Sequence, residues 1–307
     1  MWKRLYICQN FSPLHKKVVN NNKWILLVLL SLIWGSSFIL IKKSLLGFSP
    51  LQLGALRTVL TAVILISAGF KGLKEIPIHK WKWIAVTGFV GSFFPAFFFA
   101  IAETQIDSSV TAIINSMVPL YTILLGLIIF GIQSSKRQLY GVLVGFTGTA
   151  LLILKGASLN PNQNYFYAGF IIMSSLMYAA NINMIKKYLQ DVKPLTIASG
   201  NYVIIALPAL IVLYASGFFS STVLEHTNFW PSFGYISLLA IFGTALSKVF
   251  FNRLVQISSP VFASSVAYLI PLVSVFWGVI DGEKFSFLQF LAAFIILIGV
   301  YLSQRKS

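Results

Sequence analysis
The chain reads as an all-α integral membrane protein of ten transmembrane helices, built as two inverted five-helix repeats. Three observations predict this. Of 307 residues, 57% are hydrophobic and only 10% charged, against roughly 25% charged residues in soluble domains. Apolar runs of about 17–22 residues recur along the chain, each long enough to cross about 30 Å of hydrocarbon. The stretch SLIWGSSFILIKKSL (Ser31–Leu45) also returns 144 residues later as SLMYAANINMIKKYL (Ser175–Leu189).

In chain order, residues 1–22 are polar and basic and are expected to form a cytosolic tail. The first apolar run, 24–41, is too long for the core of a signal peptide and is read as a retained span. The remaining spans are expected near 51–70, 83–102, 109–130, 138–154, 167–185, 195–215, 234–252, 259–280 and 287–303. Charged or turn-rich segments separate them, among them KGLKEIPIHKWK (71–82), KGASLNPNQN (155–164) and DGEK (281–284). The expected division is a first repeat at 23–154, an extracytoplasmic linker at 155–166 and a second repeat at 167–303.

The net charge of +16 has a topological explanation, and no nucleic-acid partner is expected. With the N-terminus inside, 17 lysines and arginines fall on the cytosolic side and 4 on the other (Lys42, Lys43, Lys155 and Lys284). That asymmetry is the positive-inside pattern, and it places both termini in the cytosol. Arg57 and Lys248 fall within spans. The single cysteine, Cys8, excludes an intramolecular disulfide.

The internal match extends past the opening stretch. SSVTAIINSMVPLYTILLG (108–126) aligns with PVFASSVAYLIPLVSVFWG (260–278), pairing Pro119 with Pro271. Past a one-residue gap, Gly131, Gln138 and Gly148 pair with Gly282, Gln289 and Gly299. Five spans per copy is an odd number, so the second copy must enter the membrane upside down. Inverted repeats of this kind characterise secondary transporters.

These segments, with DGEKFSFLQFLAAFIILIGVYL (281–302), resemble the EamA family of the drug/metabolite transporter superfamily from about Lys23 to Ser303. The resemblance implies ten helices, cytosolic termini and export of small metabolites such as amino acids through a central cavity. Units of that family often carry Gly-Glu after the fourth span. Here the second copy has Gly282–Glu283, whereas the first has Gly131–Ile132.

Polar groups inside hydrocarbon must be buried or face water, so polar mid-span residues are the cavity candidates. The first span offers Trp34, Ser36 and Ser37, and the sixth offers Tyr178, Asn181 and Asn183 at equivalent depth. The fourth offers Asn115 and Tyr121, and the ninth Ser264 and Tyr268. Close helix packing explains Ser36, Ser37 and Ser264 equally well. Pro119 and Pro271 are expected helix breaks that free the carbonyls of Asn115 and Ala267. The same packing role fits Gly141-x-x-x-Gly145 in the fifth span.

Among the charges, Lys248 either snorkels to the inner interface or presents its ammonium to a substrate carboxylate. Arg57 is expected to snorkel outward, and Glu103 to lie solvated at the outer surface. None of the seven acidic residues is near a midplane, and His15, His79 and His226 lie outside the spans. The sequence therefore predicts facilitated movement down a gradient, or coupling through a group it does not identify. No catalytic residue, metal or cofactor is expected. The competing reading, an integral-membrane enzyme acting on lipids or isoprenoids, would display clustered Asp, Glu or His, and none is present. The expected partners are a small-molecule metabolite, the bilayer of a bacterial cytoplasmic (inner) membrane and, compatibly, a second copy in a homodimer.

Overall fold
The computed structural model describes residues 13–131, 135–137, 140–141, 143–145, 147–148, 151, 163–283 and 286–304. Among them there is no strand, and eight helices are long and apolar enough to cross a membrane. These are α1 (Pro13–Ser44, apolar from Asn22), α2 (Pro50–Leu73), α3 (Ile78–Ala102) and α4 (Ser108–Ile128) in the first half of the chain. In the second half they are α5 (Tyr165–Tyr188), α6 (Pro194–Ala215), α7 (Phe229–Ile257) and α8 (Pro260–Ile280). A further helix, α9 (Phe287–Gln304), contains the shorter apolar stretch Phe290–Gly299. The expected fifth span, 138–154, falls largely outside the described residues.

Local chemistry sets the helix ends. At α2, Ser49 accepts from the Gln52 N–H at 3.3 Å, the Gln52 side chain accepts from the Ser49 N–H at 2.9 Å, and Pro50 opens the helix. This reciprocal cap satisfies two of the N–H groups a helix start leaves unpaired. At the other pole, Lys42 and Lys43 occupy the last turn of α1, where positive charge suits the negative end of the helix dipole.

The breaks differ in detail from expectation. In α4 the helix interrupts at Ser116–Met117, just before Pro119, and the Ser116 hydroxyl donates to the Ile113 carbonyl at 2.6 Å. In α8 the interruption lies at Ser265, whereas Pro271 sits inside the continuous helix Val266–Ile280. There the hydroxyls of Ser264 and Ser265 donate to the carbonyls of Val261 (2.9 Å) and Phe262 (2.7 Å). Such back-bonding competes with the helical ladder and moves the break ahead of the proline.

The halves are joined through close helix pairs. Between α2 and α6, Gly69 faces Ser199 and Gly72 faces Thr196 with no room for a Cβ, and the Ser199 hydroxyl donates to the Leu65 carbonyl at 2.7 Å. Between α1 and α8, Gly35 lies against Val273, and the Ser31 hydroxyl donates to the Val266 carbonyl at 3.1 Å. Small residues at such crossings let backbones approach where lipid offers no hydrophobic drive for association. Gly299 of α9 abuts the backbone of Gly141 and Gly145 in the same manner.

Candidate functional site
Two helices carry a widened π-type segment near their middle, Phe89–Phe93 in α3 and Leu239–Leu246 in α7. Such segments redirect backbone groups away from the helical ladder. In α3 the cause is local: Pro95 has no N–H to return to the carbonyl of Gly91, four residues earlier. That carbonyl accepts a hydrogen bond from Lys248 Nζ at 3.2 Å. In α7 the Thr244 hydroxyl donates to the Leu239 carbonyl (2.9 Å) and accepts from Arg57 Nε (2.8 Å). The Gly243 carbonyl accepts from Trp34 Nε1 at 3.0 Å. The π segment of each half thus holds a cation supplied by the other half.

These groups border a central cavity of about 120 Å³, comparable in scale to one that accepts a benzene-sized molecule. Its walls are aromatic and apolar, with Tyr178 stacked on Phe99 (5.9 Å between centroids) and Trp34 tilted against Phe251 (4.9 Å). Arg57 and Lys248 are its charged lining residues, and no acidic side chain among the described residues lines it. An anionic group entering this space would meet two basic side chains, the buried Lys248 and the half-buried Arg57, neither of which forms an ion pair among the described residues.

Of the sequence candidates, the structure brings Trp34, Ser37, Asn115, Tyr178, Asn181, Lys248 and Ser264 to this cavity. Asn115 accepts from the Ser175 hydroxyl at 3.3 Å. Asn181 lies against Gly91, where a Cβ would collide with its amide, and its buried Oδ1 has no hydrogen-bond partner among the described residues.

Four candidates lie elsewhere. Ser36 turns to the α1–α8 contact, accepting from Trp277 Nε1 at 2.9 Å. Asn183 is buried against α4, donating to the carbonyls of Thr122 (3.1 Å) and Ala179 (3.0 Å). Tyr121 is buried beside Met117, and Tyr268 packs against the core away from the cavity. Ser36 and Asn183 neighbour Ser37 and Asn181 in sequence, but one or two residues along a helix rotates a side chain by about 100° or 200°.

Two residues were misplaced by sequence reasoning. Arg57, expected to snorkel, turns inward to Thr244, because the π segment of α7 offers a hydroxyl that lipid does not. Glu103, expected at the surface, is buried beyond the C-terminus of α3. The signal available for the cavity was Pro95. Like Pro119 and Pro271, Pro95 frees a carbonyl four residues earlier, that of Gly91.

The two ends of the bundle are built differently. At one, Lys42 pairs with Asp281 and Glu283, both at 2.9 Å, and Lys43 pairs with Asp281. Glu283 also accepts from the hydroxyls of Ser108 and Ser109 (2.6 Å each) and from both of their N–H groups (3.2 Å), at the start of α4. Burial pushes the Glu283 carboxyl up, but these donors and Lys42 outweigh it and hold it below its usual range. At the other end the repeated pair, Lys186–Lys187, has no such acid among the described residues. Lys186 donates to the carbonyls of Val255 (3.3 Å), Gln256 (3.2 Å) and Ser258 (2.7 Å), and Lys187 lies over the Phe130 ring at 5.4 Å.

Known proteins agree with this architecture. The model of the EamA-like transporter family matches residues 22–154 and 166–304. The inner membrane transporter YedA of Escherichia coli (strain K12), itself uncharacterized, is 26% identical over 282 residues, covering 89% of this chain and 87% of its own. A protein of the same organism named "probable amino-acid metabolite efflux pump" is 25% identical, covering 91% of this chain and 93% of its own. A crystal structure of a protein 16% identical in sequence superposes with a TM-score of 0.65, covering 92% of this chain and 96% of the other.

Proposed function
Because the chain belongs to the EamA-like transporter family, we propose that it exports small carboxylate-bearing metabolites such as amino acids by alternating access between two inverted five-helix repeats. It is a multi-pass transporter of the bacterial inner membrane rather than an enzyme, and its substrate is a small-molecule metabolite. One observation carries the substrate reading: Arg57 and Lys248 face one aromatic-walled cavity that no acid among the described residues lines. A substrate carboxylate would offset the cost of charging the buried Lys248 beside Arg57, while aromatic walls receive an apolar side chain. The relative named for amino-acid metabolite efflux supports the class.

In this reading the Lys42 end faces the exterior and the Lys186 end the cytosol, as the distribution of lysine and arginine suggests. The repeats are 23–154 and 167–303, joined by the linker 155–166. The seven cavity-lining candidates, with Arg57, bind the substrate, and the ion pairs of Lys42 and Lys43 close the outer end.

The test is efflux of a pool of labelled amino acids from proteoliposomes containing the full chain. Flux of at least one, reduced by Lys248→Met, is expected, and no flux for any would sink the transport reading for that class. Topology is tested separately with Leu46→Cys and Gln190→Cys, equivalent exposed positions, in a Cys8→Ser background. Labelling from opposite sides is expected, and labelling from one side contradicts inversion.

A further inference from the structure
We propose that Glu103 is a proton-binding site that couples opening of the outer end to substrate movement, one proton being carried inward for each substrate carried outward. This rests on the alternating-access reading above. Glu103 is 7% exposed, and neither carboxyl oxygen has a hydrogen-bond partner among the described residues. It follows the last turn of α3, where the helix dipole disfavours negative charge. It lies one turn beyond Phe99, which lines the cavity, so it stands between the substrate space and the ion-pair lock.

The charged groups that act on Glu103 among the described residues are Glu283 from the loop after α8, Lys42 from α1 and Arg57 from α2. Both cations are engaged elsewhere: Lys42 by Asp281 and Glu283, and Arg57 by Thr244. Burial first, and then the charge of Glu283, push the Glu103 carboxyl well above its usual range, and the two cations offset only part of this. With the outer end closed, burial and the absence of a hydrogen-bond partner among the described residues favour the protonated carboxyl of Glu103.

Loss of that proton leaves a buried anion that repels Glu283 and competes with it for Lys42. The lock then loosens, water enters and solvates the carboxylate. The sign is fixed by linkage: the closed end binds the proton more tightly than the hydrated open one, so proton binding favours closure. That advantage is complete below the ordinary glutamate value and is lost as pH rises through the raised one. In the cycle, a proton taken from exterior water closes the outer end. When the inner end opens, the proton leaves past Phe99 into water filling the cavity.

The experiment uses the full chain in lipid, as wild type, Glu103→Gln, Glu103→Asp and the exposed-loop control Glu225→Gln. An infrared band of a protonated carboxyl at neutral pH is expected in wild type and in Glu225→Gln, and its loss in Glu103→Gln. In proteoliposomes loaded with the labelled amino-acid pool, Glu103→Gln should still exchange substrate at equal pH but lose accumulation driven by a pH gradient. Glu103→Asp should keep that accumulation with a shifted pH midpoint. The proposal is overturned if the band survives in Glu103→Gln or if that variant accumulates substrate under a gradient as wild type does. Should wild type exchange none of the pool, the amino-acid reading fails by itself, and the infrared comparison still decides the proton site.

Discussion

Lys248 donates a hydrogen bond at 3.2 Å to the carbonyl of Gly91, a group left without its helical donor by Pro95. A proline defect in α3 thereby positions an ammonium from α7. Because the bond is to a neutral dipole rather than an acid, the charge stays available to a ligand. Replacing Lys248 with Met should weaken apparent substrate affinity by roughly 10- to 150-fold, the range for losing a charged hydrogen bond. Half-saturation in proteoliposome exchange measures it, and unchanged half-saturation would remove Lys248 from the binding site.

Gly91 itself should tolerate no side chain. A Cβ there runs into the amide of Asn181, whose buried Oδ1 already lacks a partner among the described residues. Gly91→Ala is expected to displace Asn181 into the cavity and cost about 1–3 kcal/mol, as overpacking does. A lowered melting temperature in detergent together with reduced exchange is the expected pair of results.

The α2–α6 crossing makes a similar prediction away from the cavity. Gly69→Ala would collide with the Ser199 hydroxyl and disturb its bond to Leu65. Destabilisation by about 1–3 kcal/mol is expected, and adding Ser199→Ala should recover much of it by removing the colliding atom. Failure of the second substitution to rescue would mean that the backbones, not the hydroxyl, set the spacing.

Acid should weaken the Lys42 end through Asp281 and Glu283. Burial acts to raise both carboxyls, yet their lysine and serine donors hold both below the usual carboxylate range. Their contribution to closure is therefore present above the ordinary carboxylate values and is lost as pH falls through the depressed ones. Thermal stability of wild type should drop on acidification below about pH 4, whereas a protein carrying Asp281→Asn and Glu283→Gln should start lower and change less. Equal acid sensitivity in both proteins would assign the transition to other groups.

At the opposite end, Lys186→Met should act in the other sense. Its ammonium caps the last carbonyls of α7 instead of forming an ion pair. Its removal should therefore lower stability at neutral and at acid pH alike. A loss confined to one pH range would point to a titrating partner.

The membrane class, the positions of the eight long spans and the twofold family match were legible from hydropathy and the IKK repeat, because these depend on chain length and local composition. The contrast between the ends was half legible. The sequence showed Gly131–Ile132 where the second copy has Gly282–Glu283, and the ion pair of Glu283 with Lys42 gave that difference its meaning. Only the structure placed Lys186 on the α7 carbonyls and Lys187 over Phe130.

What the sequence alone determined was which residues are polar at mid-span, since burial of any polar group in hydrocarbon carries a cost independent of its neighbours. What only the tertiary structure decided was which of them share one space. A helix that is apolar on every side has no sequence stripe to tell its inward face from its outward one. The separation of Ser37 from Ser36 and of Asn181 from Asn183, like the inward turn of Arg57 and the burial of Glu103, therefore depends on where α3, α7 and the loop after α8 come to rest.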